Sequence, residues 1–339
     1  MIRSRFAVAA AAAAAVILSA PFAQQLFAEV SVRWPARSRP LGVAATAVPA
    51  ALVLLFALWH ICERRILRYG LLVLGFGLGA GYILFTALTF AESFHFVEYG
   101  VLAVLFYRAW RPAGDWSNVI LPLAAGTIAG SLDEWFQWFI PIRAGEARDV
   151  LLNSVAMAAG LLVAAALEPP ARVRLGLDRP SRAAVARWTA ATLVVFALFF
   201  YTVHVGYDVG DPEIGSFRSR YTAAELQRAS RDRAERWRTD PPAVQRMLWR
   251  EDHYLTEALW HVQQRNRAWN AGDVAAAWRE NRILEKFYTP VLDTPTWADS
   301  RGHRWPAAQH DEAASKVGTT SRPYASDAYA YPLYPWALF

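Results

Sequence analysis

Residues Tyr69–Ala91 read YGLLVLGFGLGAGYILFTALTFA, a run without one charged side chain. A hydrocarbon core ~30 Å thick is crossed by roughly 20 apolar residues as a helix, so this run has the length and composition of a membrane span. Its glycines Gly75, Gly77, Gly79 and Gly81 make two small-xxx-small pairs, the spacing that lets helices approach closely in lipid. Phe6–Ala28 and Leu41–Cys62 are equally free of charge, and Val150–Leu167 and Trp188–Tyr207 are apolar runs of similar length. Two more apolar segments carry acids toward one end: Ser93–Trp110 holds Glu98, and Trp116–Ile140 holds Asp133 and Glu134. The expected fold class is therefore all-α: a polytopic bundle of about seven transmembrane helices (residues 1–205), followed by a small helical extracytoplasmic domain.

Composition agrees with that reading. Of 339 residues, 55% are hydrophobic and 19% charged, with a mean hydropathy of +0.15, which excludes a disordered or collagen-like chain. After residue 205 the chain carries 18 Lys+Arg and 18 Asp+Glu, so the net charge of +6 belongs to the apolar part. Because the excess arginines flank hydrophobic runs, nucleic acid is not an expected partner. The single Cys62 excludes an intramolecular disulfide and a cysteine-based zinc or iron–sulfur site. Met1–Arg5 followed by an alanine-rich run resembles a signal peptide. However, Pro21 suits the −3 position of a cleavage site badly, so a retained first helix is the preferred reading. With the N-terminus inside, 12 arginines flank inner helix ends and five (Arg33, Arg37, Arg39, Arg143, Arg148) flank outer ones. That bias sets the orientation and puts the polar tail outside.

Ionisable residues within spans are costly and are candidate functional groups by default. His95, Glu98 and Tyr99 open the fourth helix within an arc of about 100°. Asp133, Glu134 and Gln137 close the fifth within a similar arc. Arg143 and Arg148 lie in the next loop, and Asp149 and Asn153 open the sixth, sharing a stripe with Ala156 and Gly160. All ten candidates are expected at one membrane face, taken as the outer one. Such a cluster also serves as an ion-pair lock in which Arg143 or Arg148 neutralises Asp133, Glu134 or Asp149. Four acids and a histidine exceed what two arginines need, so a site, with a cation as one way of balancing the surplus, is preferred to a lock.

His95-Phe96-Val97-Glu98-Tyr99, Asp133-Glu134-x-x-Gln137-x-Phe139-x-Pro141-x-Arg143 and Asp149-x-x-x-Asn153 with Gly160 together resemble the signature of the VanZ-like membrane proteins, over roughly residues 71–166. Ala156 stands where that pattern usually has glycine. The resemblance implies a bacterial cytoplasmic-membrane protein; the family's namesake is associated with low-level resistance to the glycopeptide teicoplanin, which points to the cell envelope. The first helices and the tail fall outside it.

In the tail, 206–221 reads as a linker. Thr222-x-x-Glu225 is a capping box opening a helix to about Arg238. A second helix is expected from Asp240-Pro241, with apolar residues at Val244, Leu248, Leu255, Leu259, Val262 and Trp269. Asn270-Ala271-Gly272-Asp273 turns the chain into a third helix reaching about Tyr288. Residues 222–288 thus form a helical hairpin domain, a candidate surface for an extracytoplasmic protein partner, and 289–339 an irregular segment. His253, Glu257 and His261 span ~12 Å, too far for one ion, and are expected on a solvated face. Eight of the 15 tryptophans lie in the tail, either as core or as a surface for glycan or lipid headgroups.

The expected function is non-enzymatic binding of an anionic or sugar-bearing lipid, such as a lipid-linked cell-wall precursor, through Arg143 and Arg148. The alternative is a membrane enzyme acting on a lipid-linked substrate, with His95 or Glu134 as base and Asp133 or Glu98 as acid or metal ligand. The chain has no Gly-x-Ser-x-Gly, His-Glu-x-x-His or P-loop motif.

Overall fold

The computed structural model describes all residues except 1, 87–89, 112–113, 141–142, 171–173, 175, 246–252, 318–324, 328, 330 and 339. Pro141 and Leu248, used above, and Arg172, one of the 12 inner arginines, lie outside the described residues. The chain divides into two compact units, 1–137 with 145–200, and 138–144 with 201–339.

The first unit is helical: α1 (Ile2–Arg33), α2 (Pro35–His60), α3 (Arg65–Thr86), α4 (Phe90–Trp110), α5 (Ser117–Trp138), α6 (Ala147–Leu167) and α7 (Arg179–His204), of which α5 and α7 end in the second unit. Five of these are long and apolar enough to cross a membrane, namely Ser4–Ala23 within α1, and α2, α3, α6 and α7. The charged α4 and α5 are not among them. Only Trp34 separates α1 from α2, so the stretch between the expected runs Phe6–Ala28 and Leu41–Cys62 is mostly helical; Pro35 fits there because a first-turn proline has no intrahelical bond to lose.

Contacts between helix ends fix the directions. Phe6 packs on Phe106 and Trp110 at the end of α4 and on Trp188 in α7. Arg68, in the first turn of α3, donates to the carbonyls of Ala166 (2.6 Å) and Leu167 (2.8 Å) at the end of α6. Ser117, opening α5, meets Ser181 in the first turn of α7 at 3.4 Å. Hence α1 runs antiparallel to α4, and α3 to α6, whereas α5 and α7 run parallel. The close contacts are made by small residues. A Cβ on Gly160 would lie 2.7 Å from Ala103 Cβ and 2.8 Å from Gly100 Cα, and one on Gly75 would lie 2.9 Å from the Ala159 carbonyl oxygen.

The second unit is not all-α. Residues 206–221, expected as a linker, carry β1 (Val205–Asp211) and β2 (Gly215–Ser219), an antiparallel hairpin pairing Tyr207 with Ser219 and Val209 with Phe217. Val209 and Phe217 supply apolar side chains to one face, which turns a Gly- and Asp-rich stretch into a half-buried hairpin. Strands β3 (Ala325–Asp327) and β4 (Tyr334–Pro335) complete a sheet ordered β3-β2-β1-β4. Helix α8 (Ala223–Arg236) has both hydrogen bonds of its capping box. Residues 240–245 are not helical, and the described helix α9 is His253–Asn270. Val244, assigned above to its apolar stripe, is 49% exposed outside any helix. Helices α10 (Val274–Phe287), α11 (Thr289–Asp293) and α12 (Ala307–Lys316) follow, so 289–339 is more regular than expected. A core of Leu226, Tyr254, Leu255, Leu259, Ile283, Leu284 and Phe287 joins helices and sheet.

Candidate functional site

The ten expected site residues differ in burial. Tyr99, Asp133, Glu134, Gln137 and Asn153 are at most 3% exposed, where Asp133 and Gly130 of α5 meet Tyr99 of α4 and Asn153 of α6. Tyr99 donates its hydroxyl to Asp133 Oδ2 at 3.2 Å. Glu134 accepts from Gln137 Nε2 (3.3 Å) and from the backbone N–H of Glu146 (3.2 Å), tying the end of α5 to the start of α6. Gly130 leaves room for this cluster: a Cβ there would lie 3.4 Å from Asn153 Nδ2 and 3.6 Å from the Tyr99 hydroxyl. Neither carboxamide atom of Asn153 has a hydrogen-bond partner among the described residues. Leaving such a group unsatisfied costs about 1–3 kcal/mol, so the position marks a polar niche inside the bundle.

The other first-unit candidates form a rim where α4 and α6 begin. Arg148 Nη2 lies 2.8 Å from Glu92 Oε1, and Arg148 Nε lies 3.5 Å from Asp149 and 3.9 Å from Glu146. His95 Nδ1 stands 3.8 Å from Glu98 Oε2, and its ring stacks on Tyr99 at 6.1 Å. Burial raises the Glu146 carboxyl above its ordinary range, as do the charges of Asp149 and Glu92, with Arg148 pulling the other way. Arg143 falls in the second unit.

Sequence reasoning missed Glu92 and Glu146, both partners of Arg148. Glu92 lay one residue outside the expected helix, and its only signal was an acid in the first turn of α4. It also read Arg68 as a flanking charge, whereas Arg68 is 7% exposed and caps the end of α6. At that same end Glu168 binds Arg108 (2.7 Å through Nε) and Arg111 (2.9 Å). Burial would raise the Glu168 carboxyl, but these two arginines hold it below its ordinary value.

Beside the polar niche runs a crevice of about 400 Å³ between α2, α3, α4 and α6. Its walls are small or apolar: Pro49 and Val53, Gly79 and Ile83, Val97 and Val101, Ala156 and Val163. Its lining includes Ser93, next in sequence to the rim residue Glu92.

Residues 14–168 match the model of the VanZ/LLP1 family. This stretch of the chain is VanZ-like. The match takes in α1 from residue 14 and all of α2, which the motif-based resemblance left out, and stops one residue after α6. All of the crevice and every first-unit site residue therefore lie within the VanZ-like part. No curated protein and no solved structure matches the chain.

In the second unit, Glu257 and His261 are fully buried, not solvated. Glu257 accepts from the hydroxyls of Tyr288 (2.7 Å) and Tyr329 (2.8 Å) and from the backbone N–H of Arg220 (3.2 Å). His261 Nδ1 lies 2.6 Å from Glu280, which also accepts from Ser326. His261 finds its partner on α10 and Glu257 finds its partners at residues 220, 288 and 329, contacts that helical periodicity does not register.

Proposed function

We propose that the VanZ-like part holds a sugar-bearing lipid of the cell-wall precursor class, with its hydrocarbon chain in the crevice and its head against the rim. The observation that carries this reading is an apolar crevice of about 400 Å³ whose lining includes Ser93, the sequence neighbour of Glu92 in the Glu92–Arg148 pair. A narrow slot lined by small and branched residues suits a chain, and carboxylates at its mouth accept hydrogen bonds from hydroxyls. One arginine among Glu92, Glu146 and Asp149 favours a hydroxylated head over a bare anion, unless a cation offsets the acids. In this reading all seven helices cross the bacterial cytoplasmic membrane. The N-terminus is inside, the rim faces the outer leaflet, and the tail is extracytoplasmic, where 222–288 would meet a protein partner. Sequestering a cell-wall lipid is a route to altered glycopeptide sensitivity.

The test is mass spectrometry of lipids retained through purification. Wild type should be enriched in one sugar-bearing class. Val101→Trp, which fills the crevice from its open side, should lose total bound lipid. Glu92→Gln with Arg148→Gln should keep bound lipid but lose the class selectivity. A wild-type profile identical to that of the bulk membrane would refute the proposal.

A further inference from the structure

The second unit contains a cleft that the lipid reading does not use. It lies between the C-terminal half of α9, the 299–306 loop and the start of α12, with a volume of about 510 Å³, within the ~300–1,000 Å³ usual for small-ligand sites. Trp269 and Trp305 form one corner, their ring centroids 5.4 Å apart and their planes at 59°. The indole Nε1 of Trp305 is buried and has no hydrogen-bond partner among the described residues.

Arg265, one turn before Trp269, places its guanidinium carbon 5.1 Å from the Trp305 ring centroid. It is 3% exposed, and its three hydrogen bonds end on neutral acceptors: Asn266 Oδ1 (3.2 Å), Asn281 Oδ1 (3.0 Å) and the His303 carbonyl (2.9 Å). Burial lowers its pKa to about 10, against the raising effect of Glu285, so Arg265 remains a cation at neutral pH. Arg301 and Arg304 stand on the rim; Asp293 holds Arg304, and Asp299 lies 3.8 Å from Arg301. Asn266, Asn270 and Gln309 add amide groups.

The loop that carries these residues is anchored. Gly302 has φ +81°, and a Cβ there would lie 2.7 Å from the Leu292 carbonyl oxygen, so only glycine fits without strain. His303 donates its backbone N–H to that carbonyl at 3.0 Å, and its Nε2 lies 2.7 Å from Thr296 Oγ1.

Flat indoles stack on the C–H face of a pyranose, amides pair with hydroxyl and acetamido groups, and guanidinium groups take a carboxylate. We infer that this cleft binds an acidic saccharide, a pyranose ring bearing a carboxylate. The inference stands on second-unit residues alone and does not depend on a lipid in the crevice.

The test uses full-length protein in a sugar-free detergent and measures binding by saturation-transfer NMR and calorimetry. The probes are N-acetylmuramic acid, N-acetylglucosamine (the same ring without the lactyl carboxylate) and inorganic phosphate. N-acetylmuramic acid should bind at least tenfold more tightly than N-acetylglucosamine. Trp269→Ala should weaken both sugars at least tenfold. Arg301→Gln, at a side chain 90% exposed, should weaken only the acidic sugar and leave the fold intact. Equal affinity for the two sugars, binding of phosphate alone, no binding, or affinities unchanged in both variants would overturn the inference.

Discussion

Gly160→Ala is the sharpest perturbation of the helix packing. The new Cβ would lie 2.7 Å from Ala103 Cβ, 2.8 Å from Gly100 Cα and 3.1 Å from the Gly100 carbonyl oxygen. Carbon atoms prefer ~3.5–4.0 Å, so α4 and α6 would have to part by about 1 Å over that turn. Two of the obstructing atoms are backbone, so no rotamer change relieves them. Overpacking of this kind costs about 1–3 kcal/mol, roughly five- to 150-fold in the folding equilibrium. Gly77→Ala is the matched control, because a Cβ there meets nothing within 4 Å. It should be neutral or slightly stabilising, since alanine loses less backbone entropy in a helix. The assay is thermal unfolding in one fixed detergent, followed by tryptophan fluorescence. Gly160→Ala as stable as wild type, or no more destabilising than Gly77→Ala, would show that α4 and α6 do not meet as described.

Three further outcomes are expected. Arg68→Leu should lose about 1.5–3 kcal/mol, because the Ala166 and Leu167 carbonyls lose a charged donor, and Arg68→Lys should recover part of it in the same melt. Asp115 is buried, which would raise its carboxyl, but hydrogen bonds from Ser117, Ser181 and the Asp178 backbone bring it down from 3.8 to about 2. A folded-state pKa below the unfolded one stabilises fully above about pH 4, and this is lost as pH falls through 2. Wild type should therefore exceed Asp115→Asn by about 1–2 kcal/mol at pH 5, with the gap narrowing toward pH 2; a constant gap contradicts the assignment. Glu257→Leu should cost about 3 kcal/mol or more, since it orphans the Tyr288 and Tyr329 hydroxyls and the Arg220 N–H. Glu257→Gln should cost less, as read by near-UV circular dichroism.

The membrane part was largely legible because composition and periodicity act residue by residue. Uncharged runs locate helices, and the motifs placed Tyr99, Asp133 and Asn153 on facing helices. What the sequence hid was set by neighbours. Two glycine pairs in α3 have the same spacing, yet Gly75 and Gly79 meet α6 and Phe96 while Gly77 and Gly81 meet nothing within 4 Å. Neutralisation of Asp133, Glu134 or Asp149 by Arg143 or Arg148 was the alternative to a site; Arg148 does lie 3.5 Å from Asp149, and it also reaches Glu92, a residue 56 positions away that no helical spacing links to it. In the tail, Glu257 and His261 looked solvated because they are polar; their burial rests on Glu280, Tyr288 and Tyr329, partners that only the folded chain brings together. The hairpin at 205–219 escaped because Gly206, Gly210, Pro212 and Gly215 signal turns more strongly than Val209 and Phe217 signal a strand.

Photo-crosslinking by a lipid that carries a diazirine along its chain, retained through detergent washing and mapped by peptide mass spectrometry, tests the central claim most directly. The account predicts adducts on Ile83, Val97, Val101 and Val163 in the crevice. Adducts confined to outward-facing Leu74, Leu84 and Phe85, all more than half exposed, would mean that no chain occupies the slot.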